Sequence, residues 1–150
     1  MDILLSSIRL RRGAASDPDS RLLQKYLERA AKYLPCSHRV FSSEEALFDY
    51  LDRSARRTSP YLILTDSRGK QLSSEEFAAA IFSVQDRGTQ QMIVAIGPAD
   101  GWSSEALKRA DLTVSFGRIT LPHELAAIIA AEQIYRALTI RAGHPYHHGH

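Results

Sequence analysis

The sequence predicts an α/β fold with a mainly parallel sheet and flanking helices. Apolar runs of strand length alternate with segments of helical periodicity along the chain, which is typical of strands joined by crossover helices. Residues 61–65 and 91–96 are almost continuously apolar, as expected for strands buried on both faces of a parallel sheet. The length of 150 residues, without an internal repeat or a linker-like segment, indicates one domain over residues 1–150.

The first elements are predicted from their apolar residues and from proline. Residues 3–8 form an apolar run typical of a strand. Asp17 followed by Pro18 indicates a helix start, because aspartate caps the first turn and proline is tolerated at the first helical position. Pro35 ends this helix, since proline cannot continue one. A short second strand is predicted over residues 39–41.

Serine and glutamate residues predict where the next helices begin. Ser42 with Glu45, and Ser73 with Glu76, have the spacing of a capping box. In that motif the serine and glutamate side chains bond each other's backbone N–H groups. Ser103 predicts the N-cap of a further, shorter helix.

Three loops form the candidate ligand site, because parallel sheets bind ligands at the carboxyl ends of their strands. They cover residues 65–70, 97–102 and 116–122 and follow predicted strands at 61–65, 91–96 and 112–116. Neither the G-x-G-x-x-G pattern of dinucleotide sites nor a P-loop occurs in the sequence. The loops therefore predict a ligand site of another kind.

The last predicted helix begins at Pro122 and is apolar nearly all round. Such a helix is either buried on all sides or shared with another chain, and a dimer interface is the simpler explanation in a domain of this size. Glu132 and Arg136 have the i, i+4 spacing of an ion pair. Arg136 either makes that structural pair, or contacts a phosphate or orients the tail that follows.

Composition restricts the classes of partner. No run approaches the roughly 20 apolar residues of a membrane span, and the N-terminus lacks the pattern of a signal peptide, so we expect a cytoplasmic protein. The net charge of +2 would hold RNA weakly unless a partner surface contributed.

The single cysteine, Cys36, excludes an intrachain disulfide. The tail histidines lack accompanying carboxylates or cysteines, so no physiological metal site is predicted.

Short motifs in the second half of the chain carry a resemblance to a known family. They are Gly69-Lys70, Ser73 to Ala78, Ile96-Gly97, Asp100-Gly101, Thr120 to His123, Glu132, Tyr135 to Ala137, and Pro145-Tyr146-His147. In this order they resemble the RlmH family of ribosomal RNA methyltransferases, from about residue 61 to the end of the chain.

The resemblance implies a fold, a reaction and partners. The fold would be of the SPOUT type, with a C-terminal trefoil knot formed by roughly residues 91–150, an exception to the rule that chains do not thread themselves. The reaction would be methylation of N3 of a pseudouridine in 23S rRNA on the assembled 70S ribosome, with S-adenosyl-L-methionine as cofactor. The protein would act as a homodimer, with neither DNA nor a membrane as partner.

The resemblance also implies site residues. Those expected to bind the cofactor are Thr65, Gly97, Phe116, Gly117, Arg118, Ile119, Thr120 and Leu121. Tyr146 and His147 would reach a substrate pocket, of their own or the partner subunit, with His147 as a base or an orienting donor. Arg136 and His123 are candidate groups for binding phosphate or positioning the tail.

Two alternative functions are also considered. A catalytically deficient knotted relative would bind ribosomal RNA without chemistry. Pro98, where the family usually has glycine, supports this alternative because proline lacks an N–H and has a fixed φ. Arg118 also departs from the family pattern. An unrelated doubly wound α/β regulator is the other alternative, and it would lack the knot.

Overall fold

A computed structural model describes residues 1–9, 20–55 and 57–148. In these ranges the strands are β1 (Asp2–Ile8), β2 (Cys36–Phe41), β3 (Tyr61–Gln71), β4 (Gln91–Ile96) and β5 (Leu112–Ser115). The helices are α1 (Ser20–Ala30), α2 (Glu44–Ser54), α3 (Ser74–Asp86), α4 (Ser104–Arg109) and α5 (His123–Ala142). The strands form one parallel sheet in the order β2-β1-β4-β3-β5, which confirms the predicted α/β class.

Helices cover both faces of the sheet. Because successive strand residues point to opposite faces, Leu5 and Leu4 of β1 lie in different hydrophobic clusters. The cluster around Leu5 includes side chains of α1, α3 and α5, whereas the cluster around Leu4 includes side chains of α2 and α4. The apolar residues 62–64 of β3 and 92–96 of β4 are therefore buried from both sides, as their composition predicts.

The predicted helix starts are mostly confirmed, with one shift. Ser73 and Glu76 form the predicted capping box, and Ser103 accepts a hydrogen bond from the backbone of Ala106. The prediction of Ser42 as a cap is wrong by one residue, because Ser43 is the N-cap of α2 and accepts from Ala46 N–H. The start predicted at Asp17 and Pro18 lies outside the described residues.

Strand β3 is longer than predicted, so the expected loop over residues 65–70 is wrong in part. Thr65 and Lys70 both pair with Val114 of β5, and the residues between them form an irregularity within β3. A Cβ at Gly69 would lie 2.6 Å from the backbone carbonyl carbon of Thr113, so only glycine permits this close approach. The chain bulges at Asp66 to Arg68 and then rejoins the sheet.

Helix α5 lies between α1 and α3 on one face of the sheet. Ile134 and Leu138 are fully buried there, so much of the apolar surface of α5 is covered within its own chain. The helix begins after Pro122, as predicted, and ends at Gly143, which has the left-handed φ of +70° typical of a C-terminal glycine. Among the described residues, no helix is both long and apolar enough to span a membrane.

Candidate functional site

A cleft of about 460 Å³ opens at the carboxyl edge of the sheet. Its walls come from the segment after Leu64, the segment after β4 and the segment after β5. All the residues that the resemblance implies as cofactor-binding line this cleft: Thr65, Gly97, Phe116, Gly117, Arg118, Ile119, Thr120 and Leu121. The parallel sheet brings these residues together because Thr65, where β3 bulges, pairs with Ile96 at the end of β4 and with Val114 near the end of β5.

Trp102 joins two walls of the cleft. Its indole Nε1 donates a hydrogen bond to the carbonyl oxygen of Thr65 at 3.0 Å, and the side chain is only 3% exposed. The ring packs directly on Gly97, where an added Cβ would lie 2.7 Å from Nε1. Glycine at this position therefore lets the β4 segment pass beneath the tryptophan and keeps the floor of the cleft open.

Asp66 and Arg68 form a second connection, which was not among the sequence predictions. The Asp66 carboxylate accepts hydrogen bonds from the backbone N–H and the guanidinium of Arg68, at 2.8 to 3.0 Å, and from the backbone N–H of Trp102 at 3.3 Å. Arg68 Nη2 also donates to the carbonyl oxygen of Trp102 at 2.8 Å. The hydrogen bonds from Arg68 lower the pKa of Asp66 to about 2. An aspartate directly after the apolar run of residues 61–65 is a sequence signal that could have identified this position.

The third wall begins with a tight turn. The Ser115 hydroxyl accepts from Gly117 N–H at 3.1 Å and donates to the Gly117 carbonyl oxygen at 2.9 Å. Gly117 has a φ of +113°, which residues with a side chain rarely adopt. Ile119 is 81% exposed at the rim of the cleft, a high value for an isoleucine.

His123 lies at the cleft, at the first position of α5. Its Nδ1 is 3.0 Å from the carbonyl oxygen of Gly97. Since a carbonyl only accepts hydrogen bonds, Nδ1 carries the proton. His123 therefore tethers the start of α5 to the end of β4, and Nε2 is the ring nitrogen left to accept from a ligand.

The C-terminal tail, residues 143–148, folds back onto α5 and α3. Arg136 donates to Glu132 Oε1 through Nε at 2.9 Å and Nη2 at 2.6 Å, and its Nη1 is 3.0 Å from His147 Nδ1. His147 Nε2 is 2.7 Å from Oε1 of Glu75 in the first turn of α3. Tyr146 donates its hydroxyl to Glu132 Oε1 at 2.9 Å. We call Glu75, Glu132, Arg136, Tyr146 and His147 the tail network.

The tail network is separate from the cleft within this chain. Arg136, Tyr146 and His147 are not among the residues that line the 460 Å³ cleft, whereas His123 is. Arg136 makes both the i, i+4 ion pair with Glu132 and a contact with His147 of the tail. That Arg136 contacts a phosphate or orients the tail stays a prediction. Burial and the hydrogen bond to Glu132 raise the pKa of Tyr146 to about 12, so this phenol keeps its proton at neutral pH.

Together these features define a class of protein. A parallel α/β sheet carries a ligand cleft built from the bulge of β3 and the segments after β4 and β5, and a long C-terminal helix starts at that cleft. The family description "Predicted SPOUT methyltransferase" matches residues 14–147, nearly the whole chain. The chain belongs to the SPOUT methyltransferase family.

Relatives within this family cover most of the chain. A protein from Koribacter versatilis named "Ribosomal RNA large subunit methyltransferase H" is 49% identical over 129 residues, which are 86% of this chain and 88% of that protein. A protein of the same name from Allorhizobium ampelinum is 39% identical over 144 residues, covering 87% and 90% of the two chains.

Solved structures show the same fold at low sequence identity. The SpoU methyltransferase AviRb from Streptomyces viridochromogenes, in complex with the cofactor AdoMet, superimposes with a TM-score of 0.52 at 16% identity. The superposition covers 95% of this chain but only 58% of the AviRb chain. A probable methylase family protein from Haemophilus influenzae gives a TM-score of 0.57 at 10% identity, covering 98% of this chain and 70% of the other.

Proposed function

We propose that this chain transfers a methyl group from S-adenosyl-L-methionine to N3 of a pseudouridine in 23S rRNA, on the assembled 70S ribosome and in the cytoplasm. The observation that carries the proposal is the cleft, which all eight predicted cofactor residues line. The identity of 49% to a protein named as a large-subunit rRNA methyltransferase supports the class of substrate.

The cleft fits the cofactor in size and chemistry. Its volume of about 460 Å³ lies within the roughly 300–1,000 Å³ of small-molecule sites. Backbone groups of the segments at Gly97 and at 116–121 would hold the adenosine part, because glycine lets a ligand approach the backbone closely. When bound, the cofactor would supply its sulfonium methyl group to N3 of the base and leave as S-adenosylhomocysteine, and the proton of N3 would pass to water.

The protein would accelerate the reaction more by aligning the two reacting groups than by removing the proton of N3. If the pKa of the N3 imide lies about two units above the ambient pH, removing its proton costs about 2.7 kcal/mol. Alignment of two reacting groups can contribute about 7–11 kcal/mol, which is the larger effect. A strong general base is therefore not required. Neither ring nitrogen of His147 is free to act as one, because Nδ1 contacts Arg136 and Nε2 contacts Glu75.

We propose a homodimer in which the tail network of one subunit completes the cleft of the other. The separation of Tyr146 and His147 from the cleft of their own chain supports this arrangement. Two exposed apolar residues, Ile119 at the rim of the cleft and Leu125 in the first turn of α5, provide a surface that a second subunit would cover. The proposed trefoil knot over roughly residues 91–150 would place the start of α5 against the cofactor segments.

The proposed substrate form follows from the charge of the protein. A net charge of +2 on one chain provides little attraction for free RNA, so a folded ribosome must supply further contacts. We therefore expect methylation of 70S ribosomes in preference to naked 23S rRNA.

A transfer assay tests the whole proposal. Purified protein, tritiated S-adenosylmethionine and ribosomes from cells lacking the protein should give labelled 23S rRNA, and mass mapping should place the added methyl group on one pseudouridine. Naked 23S rRNA is the control and should be labelled far less. No label on any ribosomal substrate would contradict the proposed activity.

A cofactor-deficient RNA-binding module is the second candidate, because Pro98 lies in the wall of the cleft and removes a backbone donor there. Calorimetry with S-adenosylmethionine distinguishes the two functions. Binding at micromolar concentration supports the enzyme, whereas RNA binding without cofactor binding supports the module.

A further inference from the structure

The tail network determines the protonation of His147. Arg136 has only N–H donors, so His147 Nδ1, at 3.0 Å from Arg136 Nη1, must accept and carries no proton. The other ring nitrogen, Nε2, lies 2.7 Å from a carboxylate oxygen of Glu75, which accepts. The imidazole is therefore neutral, with its proton on Nε2.

The two hydrogen-bond partners of His147, Arg136 and Glu75, differ in how exposed they are and in how firmly other contacts fix them. Arg136 is 25% exposed and is fixed by two hydrogen bonds to Glu132, whose side chain is 16% exposed. Glu75 lies at the surface in the first turn of α3, and its side chain is 52% exposed. An incoming acceptor can therefore displace Glu75 more readily than Arg136, because an exposed carboxylate is easily rehydrated.

We propose that His147 donates a hydrogen bond through Nε2–H to a carbonyl oxygen of the methyl-accepting base, and that Glu75 holds this donor until the base replaces it. The inference rests on the proposed function and names the contact by which the tail recognises its substrate. A uracil-type base has a carbonyl oxygen on each side of N3, and each such oxygen is an acceptor like the carboxylate of Glu75. Arg136 is then a positioning residue, since it keeps the proton of His147 on Nε2.

This contact assists the reaction without proton transfer by His147. Loss of the N3 proton places negative charge on the neighbouring carbonyl oxygens. A fixed N–H donor aimed at such an oxygen stabilises that charge, as in an oxyanion hole. The side chain of His147 is only 15% exposed, so the donor is already positioned before the RNA binds.

Substitutions of His147 distinguish a donor from a base. Glutamine keeps an N–H near the position of Nε2 but cannot accept a proton at neutral pH. We expect His147→Gln to retain methyl transfer within about tenfold of the wild type, and His147→Ala to lower kcat about 10²-fold. The control is His148→Gln, on the exposed neighbouring residue, which should leave turnover unchanged. Equal inactivity of the glutamine and alanine variants would overturn the donor role.

Removal of Glu75 tests its role as the competing acceptor. Glu75→Ala should lower KM for ribosomes about two- to tenfold, because the base no longer displaces a hydrogen bond, and should not reduce kcat. Glu45→Ala removes a first-turn glutamate from α2 instead and is the matched control for helix-dipole effects. A tenfold fall in kcat for Glu75→Ala, in a folded protein, would mean that Glu75 supports catalysis and would overturn the proposal.

Nitrogen-15 NMR of the free protein tests the tautomer independently of activity. At pH 7 the spectrum should show His147 protonated on Nε2 and unprotonated on Nδ1, and Arg136→Ala should weaken this preference. A proton on Nδ1 would overturn this inference even if the enzyme is active. Inactive wild-type protein with the expected tautomer would instead contradict the proposed function.

Discussion

Asp66 shows how one side chain can hold two walls of the cleft together. Its carboxylate bonds the backbone and side chain of Arg68 within its own segment, and the backbone of Trp102 in the next one. The carboxylate must be ionised to accept all of these hydrogen bonds, which is why its pKa falls to about 2. Since these hydrogen bonds hold two walls of the cleft together, the geometry of the cleft is coupled to the charge of Asp66.

The low pKa of Asp66 predicts a specific acid sensitivity. A folded-state pKa below the usual 3.8 means that the stabilising contribution is complete above about pH 4 and is lost as the pH falls to about 2. The difference in urea midpoint between wild type and Asp66→Asn should therefore shrink over this range. Asp100→Asn, on an exposed carboxylate of the same cleft, is the control and should show a smaller difference throughout.

Arg136 is expected to contribute more to activity than to stability. Arg136→Ala leaves Glu132 without its ion pair and His147 without its Nδ1 partner, so we expect a loss of about 1–3 kcal/mol in unfolding free energy and about 10²-fold in turnover. Arg136→Lys keeps the positive charge, but one ammonium cannot reproduce the planar fork that bonds Glu132 and His147 together. The lysine variant should thus recover stability without recovering activity, as measured by urea unfolding and tritium transfer. Equal recovery of both would indicate a purely structural ion pair.

At the scale of elements, the pairing of β3 with β5 builds the cleft. Strand β3 leaves the sheet after Thr65 to form the bulge with Asp66 and Arg68, and rejoins β5 at Lys70. The return requires Gly69, since any side chain there would collide with the backbone of Thr113. The position of the bulge, which forms the first wall of the cleft, therefore depends on the close approach of Gly69 to β5 just after the bulge.

Substitution of Gly69 should disturb both the sheet and the cleft. Gly69→Ala places a methyl group 2.6–2.7 Å from backbone atoms of Thr113 and Val114, which cannot move as a flexible side chain can. We expect destabilisation of about 1–3 kcal/mol and weaker S-adenosylmethionine binding, measured by urea unfolding and calorimetry. Lys70→Ala removes atoms from an exposed neighbouring side chain and should change both quantities little. Unchanged cofactor affinity in Gly69→Ala would show that the bulge does not influence cofactor binding.

At the scale of the whole molecule, the tail and the cleft are separate parts of one chain. The tail is held by Tyr146, whose ring packs edge-on against Tyr135 at 4.6 Å and whose hydroxyl bonds Glu132. It is therefore an ordered surface on α5, where a second subunit can meet it. Deletion of residues 144–150 should leave the fold intact, because the buried clusters consist of residues before the tail.

Mixing two inactive variants tests whether the tail acts across a dimer. A chain without residues 144–150 has a cleft but no tail network, and Ala126→Trp should fill the cleft while keeping the tail. Each variant should be folded by circular dichroism and inactive in tritium transfer. Unfolded and refolded together, they should regain activity, because each mixed dimer contains one complete site. Activity in the tail-deleted protein alone would refute the role of the tail, and an inactive mixture would show that tail and cleft must belong to one chain.

The amino-acid sequence by itself determined the features that depend on near neighbours. Apolar runs, capping serines and Pro122 predict most elements, because strand burial and helix capping are read within a few residues. The three candidate ligand segments are predicted for the same reason, since they follow the predicted apolar strands. That they bind a cofactor was implied by the resemblance alone. The one-residue error at Ser42 has a local cause, because Ser43 offers an equivalent hydroxyl.

Only the tertiary structure decided which distant side chains meet. Trp102 lies 36 residues from Asp66, and His147 lies 72 residues from Glu75. These contacts depend on the order of the strands and on how α5 and its tail lie between α1 and α3, and no local pattern encodes that arrangement. Sequence periodicity reports which face of an element is buried, whereas the partners on that face are set by crossovers between strands that are far apart in the chain.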